Sequence, residues 1–239
     1  VILFYMSPIS IFYFATLSTI VSIVCVSLLP KKHGFRRTLN VKDAVSSFLS
    51  LRAIRILKRK NRAHLLVFGL AIRHIAIMGL FSLIYVYMQR RGIPTYMLGV
   101  LSSFNNIVQI LLIPVFGILA DRIGRKKIFI PGFLLSSFIP MFFISAVKPI
   151  DFAVAFSFIG IGYALLISGA NPYLRDVAPK GEESEGLSLT NTTRAIGMII
   201  GPVIVGGLVA YFSYSVMFLI LIIIGLIATV FASLSREVW

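Results

Sequence analysis

Long apolar stretches separated by short polar connections make up most of the chain. About 20 helical residues, at 1.5 Å each, cross a hydrocarbon core of about 30 Å. Stretches of that length with few or no charges recur along the sequence, and Arg194 lies near the start of the sixth. The pattern therefore predicts membrane-spanning helices in an all-α, polytopic bundle. The stretches are Ile9–Leu29, Leu65–Met88, Tyr96–Leu119, Ile128–Val147, Phe152–Ala170, roughly Leu187–Tyr211, and Val216–Leu234.

The composition agrees with this pattern. Hydrophobic residues make up 58% of the 239 residues and charged residues 13%, about half the charged fraction of soluble domains. Mean hydropathy is +0.97. A chain with so few polar residues cannot cover a water-soluble globule, which argues against a soluble enzyme, a disordered tail and a nucleic-acid-binding domain. The single cysteine, Cys25, allows neither an internal disulfide nor a multi-thiolate metal site.

The basic residues are concentrated in alternate connections. The Lys31–Arg62 segment holds eleven Lys or Arg and the Asp121–Lys127 turn holds four, whereas the intervening connections hold only Arg90, Arg91 and Lys148. Short loops rich in Lys and Arg stay cytoplasmic. We therefore interpret the net charge of +15 as a topology signal. We expect the lipid bilayer, not nucleic acid, as partner, and a multi-pass cell-membrane protein with its amino terminus outside and its carboxyl terminus in the cytoplasm.

One connection carries a motif between two apolar stretches. A tight turn requires Gly124, and a carboxylate such as Asp121 can meet the positive amino-terminal end of a helix. The alternative is a merely basic turn that holds this end inside. The motif reads Gly117-x-x-x-Asp121-Arg122-x-Gly124-Arg125-Lys126-Lys127, and it resembles the signature loop of the major facilitator superfamily at every glycine and charged position.

The resemblance extends over essentially the whole chain, as helices six to twelve of a twelve-helix carrier. It implies a sixth-helix-like span in residues 1–29, a basic cytoplasmic interdomain loop in residues 30–64 and a six-helix half in residues 65–239. The alternative is a first half preceded by one extra helix. The chain opens directly on an apolar run, so we expect an amino-terminal half upstream of it.

The resemblance implies secondary active transport of a small solute by alternating access, with Gly117, Asp121, Arg122, Gly124 and the basic pair Arg125 and Lys126 as the gating motif. No nucleophile–base pair, metal-ligand spacing or phosphate-binding loop stands out, so we expect no enzyme activity, no metal and no cofactor. The other hypothesis is a non-transporting membrane fragment or an assembly partner of a carrier.

Polar side chains inside the spans are costly in lipid and are therefore candidates for solute binding. Arg73 lies well inside the second span and would favour an anionic solute, unless it extends to the headgroups. His74 is a packing residue or a titratable site. In the third span Asn106 and Gln109 share one helical stripe with Asn105 beside it, and these amides could bind solute or other helices.

The sixth span carries small residues at helical spacing. Gly197 and Gly201 are four residues apart, which allows close helix contact, and Pro202 permits a bend. A similar glycine–proline helix is known in antiporters of the family, but the spacing differs here. We therefore interpret Gly197, Gly201 and Pro202 as packing residues.

The predicted topology can be tested by cysteine labelling in a Cys25→Ser background. A cysteine introduced by Gly92→Cys is expected to react with a membrane-impermeant thiol reagent outside intact cells. One introduced by Gly181→Cys should react only after the cells are opened. The reverse accessibility would contradict the predicted orientation.

Overall fold

A computed structural model describes residues 16–17, 19–24, 62–178 and 183–236. The chain divides into two units, Val1–Phe48 and Leu49–Trp239. The described residues of the first unit are helical. Most of the predicted first span and of the basic loop lies outside the described residues, as does the boundary between them.

Six long helices form the described part of the second unit, and each is long and apolar enough to cross a membrane. No strand occurs among the described residues, so the predicted all-α membrane bundle is confirmed. All six helices begin one or more residues before the predicted spans, and three also end later, because polar residues at the helix ends continue the helical hydrogen bonding. They are α1 Ala63–Arg90, α2 Thr95–Ile123, α3 Arg125–Ser145, α4 Pro149–Val177, α5 Glu183–Tyr211 and α6 Tyr214–Ser233.

Short connections join the helices and reverse the chain direction. Gly124 alone separates α2 from α3. Its φ of 102° lies in a region that residues with a side chain rarely adopt, and its N–H donates to the Ala120 carbonyl at 3.1 Å. Tight turns of this kind make consecutive helices antiparallel, so alternate connections lie at opposite ends of the bundle.

Helices α1 and α4 hold the bundle together. Helix α1 packs against α5 and α6, and α4 packs against α2, α3 and α5. Helix α2 contributes only Leu98, Leu101 and Ala120 to the buried set, so most of its apolar surface is open. Helix α5 is likewise exposed along one side, where Ile199 and Val203 are each 73% exposed.

Glycines bring α1 and α5 into backbone contact. A Cβ at Gly197 would lie 2.6 Å from the His74 carbonyl carbon, and a Cβ at Gly201 would lie 2.6 Å from the Gly79 nitrogen. Both distances are shorter than real Cβ contacts, so these positions require glycine. Pro202 follows inside the same helix.

Aromatic packing closes the end of the bundle opposite the motif turn. Tyr87 is buried, and its hydroxyl donates to the Phe143 carbonyl at 3.1 Å. Its ring lies 5.0 Å from that of Phe218 and 5.1 Å from that of Tyr214. The Arg91 guanidinium sits over the same ring, 5.1 Å from its centroid.

The glycine contact predicts unequal effects for two substitutions in α5. Gly201→Ala places a methyl group against the α1 backbone, and we expect overpacking to lower the free energy of unfolding by about 1–3 kcal/mol. Gly206→Ala is the matched control because its Cβ would meet no atom within 4 Å. We expect it to change stability by less than about 0.5 kcal/mol. Unfolding in detergent, followed by circular dichroism, measures both, and equal effects would contradict the contact.

Candidate functional site

A cavity of about 270 Å³ lies between α1, α2, α4 and α5. Every solute-binding residue predicted from the sequence lines it, so the structure brings together side chains that are far apart along the chain. The predicted residues are Arg73, His74, Asn105, Asn106 and Gln109. The remaining residues that line the cavity are Ile77, Met78, Phe81, Ile159, Tyr163 and Arg194.

Arg73 is held inside the bundle. It is 2% exposed, and its Nε donates to Ser136 Oγ at 3.1 Å. Ser136 lies near the middle of α3 and in turn donates to the Gly132 carbonyl at 2.6 Å. Among the described residues, the two terminal nitrogens of the guanidinium have no hydrogen-bond acceptor. The side chain is therefore fixed at one edge and retains donors for a further partner.

His74 links α1 to α5. Its Nδ1 lies 3.1 Å from Thr193 Oγ1, and that hydroxyl donates to the Thr190 carbonyl at 2.9 Å. The tautomer of His74 decides whether Nδ1 donates or accepts in this pair. His74 also contacts Gly197 through its backbone. It therefore packs between helices while one side faces the cavity.

Amides of α2 form another wall. The Gln109 Nε2 group donates to Asn105 Oδ1 at 2.7 Å, which fixes both side chains. The Asn106 amide makes no side-chain hydrogen bond within the described part of the chain, and the same holds for the Tyr163 hydroxyl of α4. These two groups can both donate to and accept from a solute.

Besides Tyr163, the polar lining residue that sequence reasoning missed is Arg194. The sequence placed it near the start of a span, with the cytoplasmic charges. Helix α5 begins at Glu183, so Arg194 lies eleven residues, or about 16 Å, along the helix at 1.5 Å each. One signal in the sequence could have indicated that Arg194 faces the bundle. It lies three residues before Gly197, a predicted packing residue, and residues at i and i+3 share a helix face.

The cavity is positively charged. Its lining contains no Asp or Glu among the residues that the structure describes, and the acidic residues of α2–α5 lie at helix ends. No group of metal-ligating side chains occurs in the described ranges. The arrangement can bind negative charge through guanidinium donors and can orient a solute through amides and a phenol.

The motif turn between α2 and α3 forms an ion-pair cluster at one end of the bundle. Arg125 NH1 lies 2.9 Å from a carboxylate oxygen of Asp176 at the end of α4. Its NH2 lies 3.5 Å from Asp121, whose side chain is 70% exposed. Sequence reasoning did not select Asp176, because nothing in the spacing shows that α4 ends beside the turn.

The same end of the bundle contacts the segment that follows α6. Lys126 Nζ donates to the Ser235 carbonyl, and the Tyr173 hydroxyl donates to the Arg236 carbonyl. Both carbonyls belong to residues after α6, which ends at Ser233, so these contacts hold the segment that follows the helix. A Cβ at Gly117 would meet no atom within 4 Å, so that face of α2 is open.

Comparison with known proteins identifies related sequences over this region. The family model described as Major Facilitator Superfamily matches residues 97–238. The putative multidrug resistance protein MdtD of Pectobacterium atrosepticum is 28% identical over 134 residues, which cover 56% of this chain and 28% of that protein. The uncharacterized MFS-type transporter YhjO of Bacillus subtilis is 27% identical over 129 residues, 54% of this chain and 32% of that protein. The match thus covers less than a third of each relative's length.

Proposed function

The chain belongs to the Major Facilitator Superfamily, and on that premise we propose that it carries a small anionic solute across the membrane by alternating access. The observation that carries the proposal is the convergence of Arg73 and four other predicted polar residues on one cavity between helices. Transporters commonly bind solutes at such an internal site near the middle of the bilayer.

The charge of the cavity supports an anionic solute. Arg73 is buried at membrane depth without a carboxylate beside it, and a buried charge without a partner is strongly unfavourable. An anion that enters the cavity would supply that partner. Ser136 already orients the guanidinium, so binding would cost little further side-chain entropy.

The open faces of α2 and α5 support a partner half. Large apolar side chains lie exposed on both helices, and the cavity is open on the same side, where Asn106 and Arg194 are exposed. We propose that an amino-terminal six-helix half covers this side and completes the solute pathway. In this arrangement the motif end of the bundle faces the cytoplasm.

The same open faces also favour a second hypothesis, a non-transporting fragment that pairs with a carrier. The two hypotheses share an interface and differ in solute movement. Co-expression with an amino-terminal half, followed by a transport assay in reconstituted vesicles, separates them, because a pairing fragment would assemble without moving solute.

For the motif we propose a gate. Arg125 lies between Asp121 and Asp176, which fixes the turn relative to α4. The exposed Asp121 carboxylate is then placed to meet the positive amino-terminal end of a helix in the partner half. That contact would form only while the cytoplasmic ends of the two halves are close, and it would favour the outward-open state.

The transport hypothesis predicts a strong effect at Arg73. Loss of a charge-assisted hydrogen bond costs about 1.5–3 kcal/mol, so Arg73→Ala should lower uptake of an anionic solute about tenfold or more. Arg73→Lys should also be impaired, because lysine cannot keep the Ser136 contact and offer paired donors. Uptake into vesicles that contain the assembled carrier measures this. Arg90→Ala, at the opposite end of α1, is the control, and normal uptake by Arg73→Ala would remove Arg73 from the site.

The gating hypothesis predicts a shift in accessibility. Asp121→Asn removes a carboxylate–helix contact of about 0.3–1 kcal/mol, which changes the ratio of the two states about two- to fivefold toward inward-open. In the assembled carrier, a reporter cysteine at Ile113 should then react faster with a reagent on the cytoplasmic side. Asp151→Asn, at the other end of the bundle, should leave the rate unchanged. An unchanged rate together with lost expression would make Asp121 a folding residue.

A further inference from the structure

We propose that Arg194 and Arg73 act as a pair that selects solutes with two negative charges, of the dicarboxylate class. The inference rests on the proposed function in that it places the pair in the solute cavity. It goes further because it assigns a specificity role to Arg194 and a number of charges to the solute.

The helix contact brings the two arginines to one cavity. Arg73 precedes His74 on α1, and Arg194 follows Thr193 on α5. The side chains of His74 and Thr193 are in hydrogen-bond contact at 3.1 Å. Gly197, three residues after Arg194, allows α5 to approach the backbone of His74. Both arginines line this cavity, on helices whose relative position the His74–Thr193 and Gly197 contacts fix.

The two guanidinium groups lack protein counter-ions. Across residues 62–178 and 183–236, the Arg194 side chain makes no hydrogen bond or ion pair, and the Arg73 side chain bonds only to Ser136. Arg194 is exposed about 16 Å along its helix, where contact with lipid would be costly. It therefore faces the open side of the cavity. Two unpaired cations in one cavity are best neutralised by two negative charges.

The remaining lining fits a compact, polar dianion. The space that α1, α2, α4 and α5 enclose is about 270 Å³, which accommodates a compact solute while one side of the cavity stays open. Ser136 holds the Nε edge of Arg73, so the terminal nitrogens of Arg73 can donate to one carboxylate of the solute. The paired N–H groups of the Arg194 guanidinium can donate to the second carboxylate. Asn106 and Tyr163 are placed to hydrogen-bond the part of the solute between the carboxylates.

Isothermal titration of the purified chain in detergent tests the pair without a transport assay. The probes are succinate, a dianion, and succinamate, its monoanionic amide of nearly equal size. We expect the native chain to bind succinate at least tenfold more tightly than succinamate. Arg194→Gln should bring that ratio to about one, while the affinity for succinamate changes less than twofold. Arg194→Lys should restore part of the ratio because it retains the charge.

Two control variants distinguish the proposed role of Arg194 from an effect on folding and from an effect of the total charge of the protein. Arg175→Gln removes the same charge at the end of α4 and should leave the ratio unchanged. Thr193→Val removes the hydrogen bond to His74 and should lower the ratio while both probes still bind, as expected for a positioning residue. Thermal unfolding of each variant checks the fold.

Equal binding of the two probes, or no binding of either by the folded chain, would overturn the proposal. An unchanged ratio in Arg194→Gln combined with weaker assembly with the partner half would do so too, because Arg194 would then pair with a carboxylate of that half. If the ratio behaves as expected but vesicles show no solute movement, the transport proposal fails and the paired site stands.

Discussion

The close approach of α1 and α5 is the constraint on which the cavity depends. Lipid tails are as apolar as leucine side chains, so helices in a bilayer associate through van der Waals packing and hydrogen bonds. Here Gly197 and Gly201 bring the backbones together, and the His74–Thr193 hydrogen bond fixes their register. The same contact sets the positions of the neighbouring cavity residues. Packing and the proposed solute recognition therefore share one set of atoms, and a change in the contact is expected to affect both.

Acidic and basic side chains lie at different depths in the described helices. The carboxylates of the described helices lie at the ends, where water and basic residues stabilise them, whereas Arg73 lies in the interior with only a hydroxyl as partner. A structural role would have been served by a neutral side chain at lower cost. The buried guanidinium, without a protein counter-ion in the described part, is accordingly the strongest reason to assign the cavity to a negatively charged solute.

Sequence reasoning could predict the helices because a stretch of about 20 apolar residues has few alternatives in a bilayer. It selected Arg73, Asn106 and Gln109 by their cost at membrane depth, and the structure places all three around one cavity. It missed Arg194 and Asp176, since each gains its meaning from a neighbour distant in sequence. Helix ends and rotations decide such contacts, and neither the apolar pattern nor the charge count contains them.

The two ends of the bundle are held by different interactions, which bears on how it moves. Ion pairs and a lysine–carbonyl contact hold the motif end, and water can exchange with these groups. Buried rings around Tyr87 hold the other end, where any opening would expose apolar surface. Helix α4 reaches both ends and packs against α2, α3 and α5. Because one helix links both sets of contacts, we expect the six helices to move as one body, with opening and closing confined to their exposed α2 and α5 side.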